Sequence, residues 1–486
     1  MTNINFFENI LKQSKNSKKI LLIDKKNNYG DFFSKTMFYF NFLKANVKQG
    51  QVLCVCLNYS LDYIAIIFAS YLNKNILTFI NPSASSGEKD YILKNSRTVA
   101  IFHDTNEFKS KNKIKLYNDV IFSKVYSSIK NYLKPSDRFI IYTSGTSSLP
   151  KGVILTDKSI ASNCIAISKN LKLGTSDRSL IFSPPSYAMA MSQVLSLMYS
   201  KSCFSFNTNG MRFPNDLIKV IKKHKLTVLN LSVSAFRIME KYLTGKVFKS
   251  VRLVMSGGMP LPKKVVKSYY NIFPKAKVIN FYGCTENSPR VCHFEAKRKD
   301  INNYTIFPVG KALNGIKVKI IKKTKKDKSG IICISGKSLM RGYYRNNQLN
   351  REKLVNSWFN TGDIGFIDKE RNLNLLGRED NTFRVGHEKL NPSEIEIVMS
   401  KLFNFKEVAI SKIKSDILDW EPVAVIKKEK KNILSGDKII SKLRKYLSNY
   451  KIPKKYFFIN HFPKTHYGKL DRKKLEKLAE RLNESR

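Results

Sequence analysis

Tyr142-Thr143-Ser144-Gly145-Thr146-Ser147-Ser148-Leu149-Pro150-Lys151-Gly152-Val153 crowds hydroxyls, two glycines and a lysine into one short run. It follows Asp137-Arg138-Phe139-Ile140-Ile141, whose β-branched and aromatic residues read as a strand. Glycine lets a backbone turn sharply and approach a ligand closely. Successive N–H groups in such a turn form a concave anion site. The hydroxyls add neutral donors and Lys151 adds a positive charge. The expected guest is a polyphosphate. No Gly-Lys-Ser/Thr triplet closes the loop, so the Walker pattern is excluded. Composition alone also fits a plain Ser/Thr/Gly surface loop; the order Ser-Gly-Thr then Pro-Lys-Gly is what sets this run apart.

The flanks suggest how the loop is mounted. Gln51–Leu57 reads as a buried strand, Leu61–Leu72 as an apolar helix and Asn75–Ile80 as a second strand. This is a βαβ unit, which predicts a parallel sheet covered by helices. Further strands are expected at Ser179–Phe182, Leu226–Leu231, Val251–Met255 and Val278–Tyr282, with a helix over Asp157–Leu171. From Pro308 to Gly342 short alternating strands such as Ile316–Ile320 and Ile331–Ile334 predict a small antiparallel β subdomain. The last segment has strands near Glu407–Ile410 and Val423–Ile426 and a helix near Ile439–Leu447. At 486 residues the chain is too long for one core. The expected fold is α/β: a large N-terminal domain over 1–379, built of parallel-sheet α/β subdomains plus the small β subdomain. A small, mobile α+β domain over 380–486 follows.

Composition narrows the function classes. Tyr63–Ile80 is the best apolar run and Asn73-Lys74-Asn75 breaks it short of the ~20 residues a membrane helix needs. The start, Met1-Thr2-Asn3-Ile4-Asn5, shows no secretory pattern, so a cytoplasmic enzyme is expected. The net charge is +50, but lysines are spread throughout, as in a chain written in a lysine- and asparagine-biased code. That leaves a general bias toward anionic ligands, and no nucleic-acid partner is expected. A basic nucleic-acid binder on an old fold is the rival class, and it requires steeply salt-dependent DNA retention. Seven cysteines without a CxxC pair and six scattered histidines suggest reduced thiols and no zinc site.

Together the motifs resemble the adenylate-forming superfamily of acyl-CoA synthetases, carrier-protein adenylation domains and luciferases, over residues from about 50 to 475. The resemblance makes Thr143, Ser144, Gly145, Thr146, Ser147, Ser148 and Lys151 the phosphate loop, with Thr146 also at the metal. Ser256-Gly257-Gly258-Met259-Pro260 supplies paired glycines for close approach of adenine or the acyl chain. In Tyr282-Gly283-Cys284-Thr285-Glu286, the resemblance implies that Tyr282 stacks on adenine, Thr285 contacts the α-phosphate and Glu286 binds magnesium, an ion that prefers hard oxygens. Asp363 in Thr361-Gly362-Asp363 would accept from both ribose hydroxyls. In Gly377-Arg378-Glu379-Asp380, Arg378 lies near the nucleotide and Asp380 is the hinge. Tyr187, after Ser183-Pro184-Pro185-Ser186, lines the acid pocket; a phenol there cannot hold a substrate ammonium, which disfavours an α-amino acid. Pro463-Lys464-Thr465-His466-Tyr467-Gly468-Lys469 singles out Lys469 as the adenylation lysine. Three departures stand out: Ser148 replaces a glycine, Arg384 replaces a lysine, and Gly386 sits one place early, leaving His387 where relatives help form a thiol tunnel.

The implied function is ATP- and Mg2+-dependent activation of a small-molecule carboxylic acid to acyl-AMP, followed by transfer to a thiol, CoA being expected. The alternative acceptor is the phosphopantetheine of an acyl or peptidyl carrier protein. An inactive member is a third possibility, because of Ser148 and His387.

Overall fold

Val52–Cys56 is a strand with all five residues buried, and it explains the parallel sheet. A strand covered on both faces reads as a continuous apolar run, not an alternation. It pairs in parallel with Ile76–Phe79 on one side and Ala100–His103 on the other, with Cys54 opposite both Thr78 and Ile101. The crossover is the helix Leu61–Leu72, buried from Leu61 to Tyr71. Ser60 starts it: its hydroxyl accepts from the Tyr63 N–H at 3.1 Å, a cap worth about 1 kcal/mol. Asn73 and Asn75 turn the chain back, the Asn73 amide donating to Asn75 at 2.8 Å and Asn75 to the Lys48 carbonyl at 2.9 Å.

The computed structural model describes residues 6–105, 107–108, 112–126, 133–143, 150–183, 186–206, 214–322, 324, 327–385, 388–403, 405, 407–415, 419–428, 436–465 and 470–485. The chain forms two compact units. The first comprises Met1–Ile301, Val309–Lys319 and Cys333–Asn360; the second comprises Asn302–Pro308, Ile320–Ile332 and Thr361–Arg486.

The first unit holds two large sheets. One runs, in spatial order, Gly342–Tyr343, Lys151–Thr156, Asp137–Thr143, Ile76–Phe79, Val52–Cys56, Ala100–His103, Ile121–Lys124 and Lys113–Lys115. The other contains Arg290–Glu295, Lys277–Gly283, Leu253–Gly257, Val228–Asn230, Arg178–Ile181 and Cys203–Phe206 as neighbours. Its heart is parallel, with Leu229 opposite Val254 and Val254 opposite Val278. Arg290–Glu295 then returns antiparallel beside Lys277–Gly283.

In the second unit Val408–Ser415, Asp419–Lys427 and Lys455–Ile459 form a three-stranded sheet. Successive side chains alternate between two cores. Ile410, Ala424 and Ile426 face Ile395 and Met399 of the helix Pro392–Phe403, while Ala409, Val423 and Val425 face Leu475 and Ala479 of the helix Arg472–Glu484. This period-2 division matches the sequence expectation of an α+β terminal segment. Among the described residues no helix is long and apolar enough to cross a membrane.

Candidate active site

The phosphate-loop run joins two strands of one antiparallel hairpin. Thr143 ends the first strand, Lys151 begins the second, and the two residues pair directly. Ser144, Gly145, Thr146, Ser147 and Ser148 lie outside the described residues. The posts on either side are firmly built. The Tyr142 hydroxyl donates to Asn95 at 2.6 Å, and burial holds that phenol well above its ordinary pKa. Tyr91 donates to the Pro150 carbonyl at 3.1 Å. Gly152 is required by packing, since a Cβ there would meet Ile140 at 2.8 Å and the Tyr142 ring at 3.2 Å.

Glu286 is tied to this hairpin by a short strand. Gly342–Tyr343 pairs antiparallel with the second loop strand, Tyr343 opposite Val153 and Gly342 opposite Ile154. The Tyr343 hydroxyl then donates to Glu286 Oε1 at 2.8 Å, and the Met340 N–H donates to the Glu286 carbonyl at 2.7 Å. Two ion pairs anchor the base. Arg341 grips Asp137 with two 2.8 Å bonds, and Arg138 pairs with Asp157. A charge-assisted bidentate pair holds orientation as well as distance, so the strand that bears Tyr343 is locked beside the hairpin strands.

Glu286 fits a magnesium ion chemically. Its carboxylate is half-buried, Oε1 is oriented by Tyr343, and Oε2 has no hydrogen-bond partner among the described residues. Magnesium takes hard oxygens and keeps several waters, so one protein carboxylate beside phosphates is an adequate set.

The neighbouring glycines are structural necessities. A Cβ on Gly257 would come within 2.5 Å of the Phe281 ring, and one on Gly283 within 2.3 Å of the Pro289 carbonyl oxygen. Gly258 has φ +79° with open space around it, a conformation that favours glycine. Tyr282 is buried, and Thr285 and Glu286 sit on the single helical turn Thr285–Asn287 that follows it. Tyr187 is half-buried at the start of the helix Ala188–Tyr199.

The second unit gathers the other predicted residues. Asp363 and Arg378 face each other on paired strands. Arg378 Nη1 donates to Asp363 at 3.0 Å and Nε to Asp380 at 2.9 Å. One guanidinium therefore bridges the expected ribose carboxylate and the expected hinge carboxylate. Gly377 lies against the chain that follows: a Cβ would be 2.7 Å from Ser393 Oγ and 2.9 Å from Asn391 Oδ1. Lys469 lies outside the described residues, as do Gly386 and His387 and the side chain of Arg384. Its flanks are described: Lys464 and Leu470 form a β-bridge, and Arg472 clasps Glu396 at 2.9 and 3.0 Å.

Sequence reasoning missed Tyr343 and the clasp at Glu396. Tyr343 stands in Met340-Arg341-Gly342-Tyr343-Tyr344, where the only signal is a glycine-aromatic pair.

The profile of the AMP-binding enzyme family matches residues 8–344. Among curated relatives, the 2-succinylbenzoate–CoA ligase of Bacillus cytotoxicus is 26% identical over 460 residues, covering 90% of this chain and 91% of the relative. Among solved structures, the o-succinylbenzoate CoA synthetase of Bacillus subtilis in complex with its acyl-adenylate intermediate superposes with a TM-score of 0.80 at 21% identity. It covers 96% of this chain and 98% of that one. ATP-bound MatB from Rhodopseudomonas palustris gives 0.83 at 18% identity, covering 98% and 99%. With the phosphate-loop hairpin, the tethered Glu286 and most of the first unit inside the matched span, the chain belongs to the family of AMP-binding enzymes.

Proposed function

We propose that the chain is an AMP-forming acid–thiol ligase that activates a carboxylic acid with ATP and passes the acyl group to CoA. One observation carries this reading. The Tyr343 hydroxyl holds Glu286 from a strand hydrogen-bonded to the phosphate-loop hairpin, which supports a shared mount for the carboxylate proposed to bind magnesium and the flanks of the proposed phosphate loop.

The carboxylate substrate is ionised at neutral pH and needs no general base. Its oxygen attacks the α-phosphorus of ATP; the bond to pyrophosphate breaks and acyl-AMP forms. Such transfer depends on positioning and electrostatic stabilisation more than on a protein nucleophile. The amides and hydroxyls from Thr143 to Ser148 and the Lys151 ammonium would hold the phosphates. Thr285 would sit at the α-phosphate, with Gly257, Gly258, Tyr282 and Gly283 beside the adenine. Magnesium, held by Glu286 and Thr146, would neutralise phosphate charge. Asp363, oriented by Arg378, would accept from the ribose, and Tyr187 with Gly257 would border the acid. Lys469 would place its ammonium on the transferring group, a contribution typically worth ~3–4 kcal/mol.

In the second step a thiol sulfur attacks the acyl carbonyl, the bond to AMP breaks, and the thiol proton leaves to solvent. We assign the pivot between the two steps to Asp380, with 1–379 and 380–486 as the two domains. A cytoplasmic setting fits seven free cysteines, six of them buried. The acid named for the curated relatives, 2-succinylbenzoate, is the first to test. Incubation with ATP, magnesium, CoA and that acid should yield AMP and the acyl-CoA thioester, resolved by mass spectrometry. AMP formation only with an added carrier protein would move the reading to a carrier-loading enzyme. No AMP with any acid, together with tight salt-sensitive DNA binding, would overturn it.

A further inference from the structure

Arg290 is a buried cation without a counter-charge among the described residues. Its residue is 3% exposed. The guanidinium lies over the Phe281 ring, 4.5 Å from the centroid. Nη1 donates to the Met255 sulfur at 3.2 Å, a weak acceptor. Nε has no hydrogen-bond partner and the side chain pairs with no carboxylate among the described residues. Burial pulls its pKa down to about 10, against a small opposing influence from Cys164, so it stays charged at neutral pH. Desolvating an ion without a partner is strongly destabilising, and an aromatic face with a thioether softens the charge without neutralising it.

Its place in the fold says what the missing partner belongs to. Gly257 pairs with Phe281 and Met255 with Ile279 in register, so Met255, Gly257 and Phe281 share one face of the sheet. Asn230 pairs with Met255 on the same face, and its amide points to Gln193 at 3.4 Å. Arg290 opens the next strand, a few residues past Glu286. The cation therefore backs the glycine-bearing face expected to receive the acid, and a polar amide pair stands in the same row.

We propose that Arg290 is a specificity-determining residue of the acyl site. It pairs with a second carboxylate on the acid, so that the substrate is a dicarboxylic acid whose other carboxylate is the one adenylated. Planar N–H donors suit a carboxylate, and cation–π stacking leaves those in-plane donors available. A site built for a buried charge rejects the analogue that lacks its partner more strongly than an apolar pocket rejects a missing methylene. This rests on the ligase reading, and the test separates the two.

The experiment uses matched pairs of aliphatic and aromatic acids, each a dicarboxylic acid beside its monomethyl ester. Pyrophosphate release gives kcat/KM, and calorimetry without ATP gives binding. The wild type should prefer the diacid by on the order of 10- to 100-fold, the range for a hydrogen bond to a charged group. The loss should fall mainly in KM and in calorimetric affinity. R290Q should erase the preference, and R290K should retain part of it. A wild type that uses both members of every pair equally overturns the proposal without any variant. So does an R290Q protein that keeps the preference. If no acid releases pyrophosphate, the ligase reading fails; calorimetry then still decides Arg290 by whether diacids bind in preference to their monoesters and lose that preference in R290K and R290Q.

Discussion

Tyr343→Phe isolates the link between the phosphate-loop hairpin and Glu286, the carboxylate proposed to bind magnesium. The phenylalanine keeps the ring, which packs 6.4 Å from Phe359, and the backbone bonds to Asn350 remain. Only the hydroxyl that donates to Glu286 Oε1 at 2.8 Å is lost. A hydrogen bond to a charged group contributes about 1.5–3 kcal/mol. Tyr343 is 7% exposed but Glu286 is half-buried, so water can take over part of the bond and the lower end applies. About 1.4 kcal/mol corresponds to a tenfold change in rate. The assay is acid-dependent ATP–pyrophosphate exchange titrated with magnesium. The variant should exchange about tenfold more slowly at limiting magnesium and recover partly in excess, because a freely rotating carboxylate binds the ion less well. Thermal stability should change little. A variant indistinguishable from wild type across the titration would refute the idea that Tyr343 fixes Glu286 for phosphate chemistry.

Lys469→Ala should abolish acyl-AMP formation while sparing thioester formation from supplied acyl-AMP; equal loss of both steps would contradict a role confined to adenylation. Gly257→Val would push a side chain toward the Phe281 ring, 2.5 Å from where its Cβ would sit. Overpacking of this kind costs about 1–3 kcal/mol; melting should fall and the KM for the acid should rise more than that for ATP. His103 is fully buried, shares a 2.8 Å hydrogen bond with Ser123, and has its pKa lowered by desolvation. The unfolded chain, with His near pH 6.5, then binds the proton more readily. Stability should therefore be fully present above about pH 6.5 and fall as pH drops below it. Melting temperatures from pH 8 to pH 5 should fall less steeply for His103→Gln; identical slopes would refute this.

Much of this was legible in the sequence because it is local. The helix Leu61–Leu72 was read to the residue, since an apolar run between Ser60 and the Asn73–Asn75 turn leaves little freedom. The strand before the phosphate loop, expected over Asp137–Ile141 and found over Asp137–Thr143, also follows from residues that lie close in the chain. What escaped is long-range. Gly342–Tyr343 is a two-residue strand, too short for any alternation to show. Its attachment to Glu286 joins segments that only the folded sheet brings together. Arg290 looks like one more charge in a strongly basic chain; its burial follows from register across three strands, which no periodicity encodes. Arg472 and Glu396 are 76 residues apart, and their bidentate bond exists because both reach the Ile410 backbone, Glu396 accepting from its N–H at 2.8 Å and Arg472 donating to its carbonyl at 3.2 Å.

On the proposed function, the mount that joins the phosphate-loop hairpin to Glu286 holds ATP so that a carboxylate can take its adenylyl group. Exchange of labelled pyrophosphate into ATP measures that step alone, without thiol or product release. With a diacid and magnesium present, the account predicts label in ATP that vanishes when acid, magnesium or Glu286 (as Glu286→Gln) is removed. Exchange that proceeds equally without acid, or no exchange alongside unimpaired ATP binding, would contradict it.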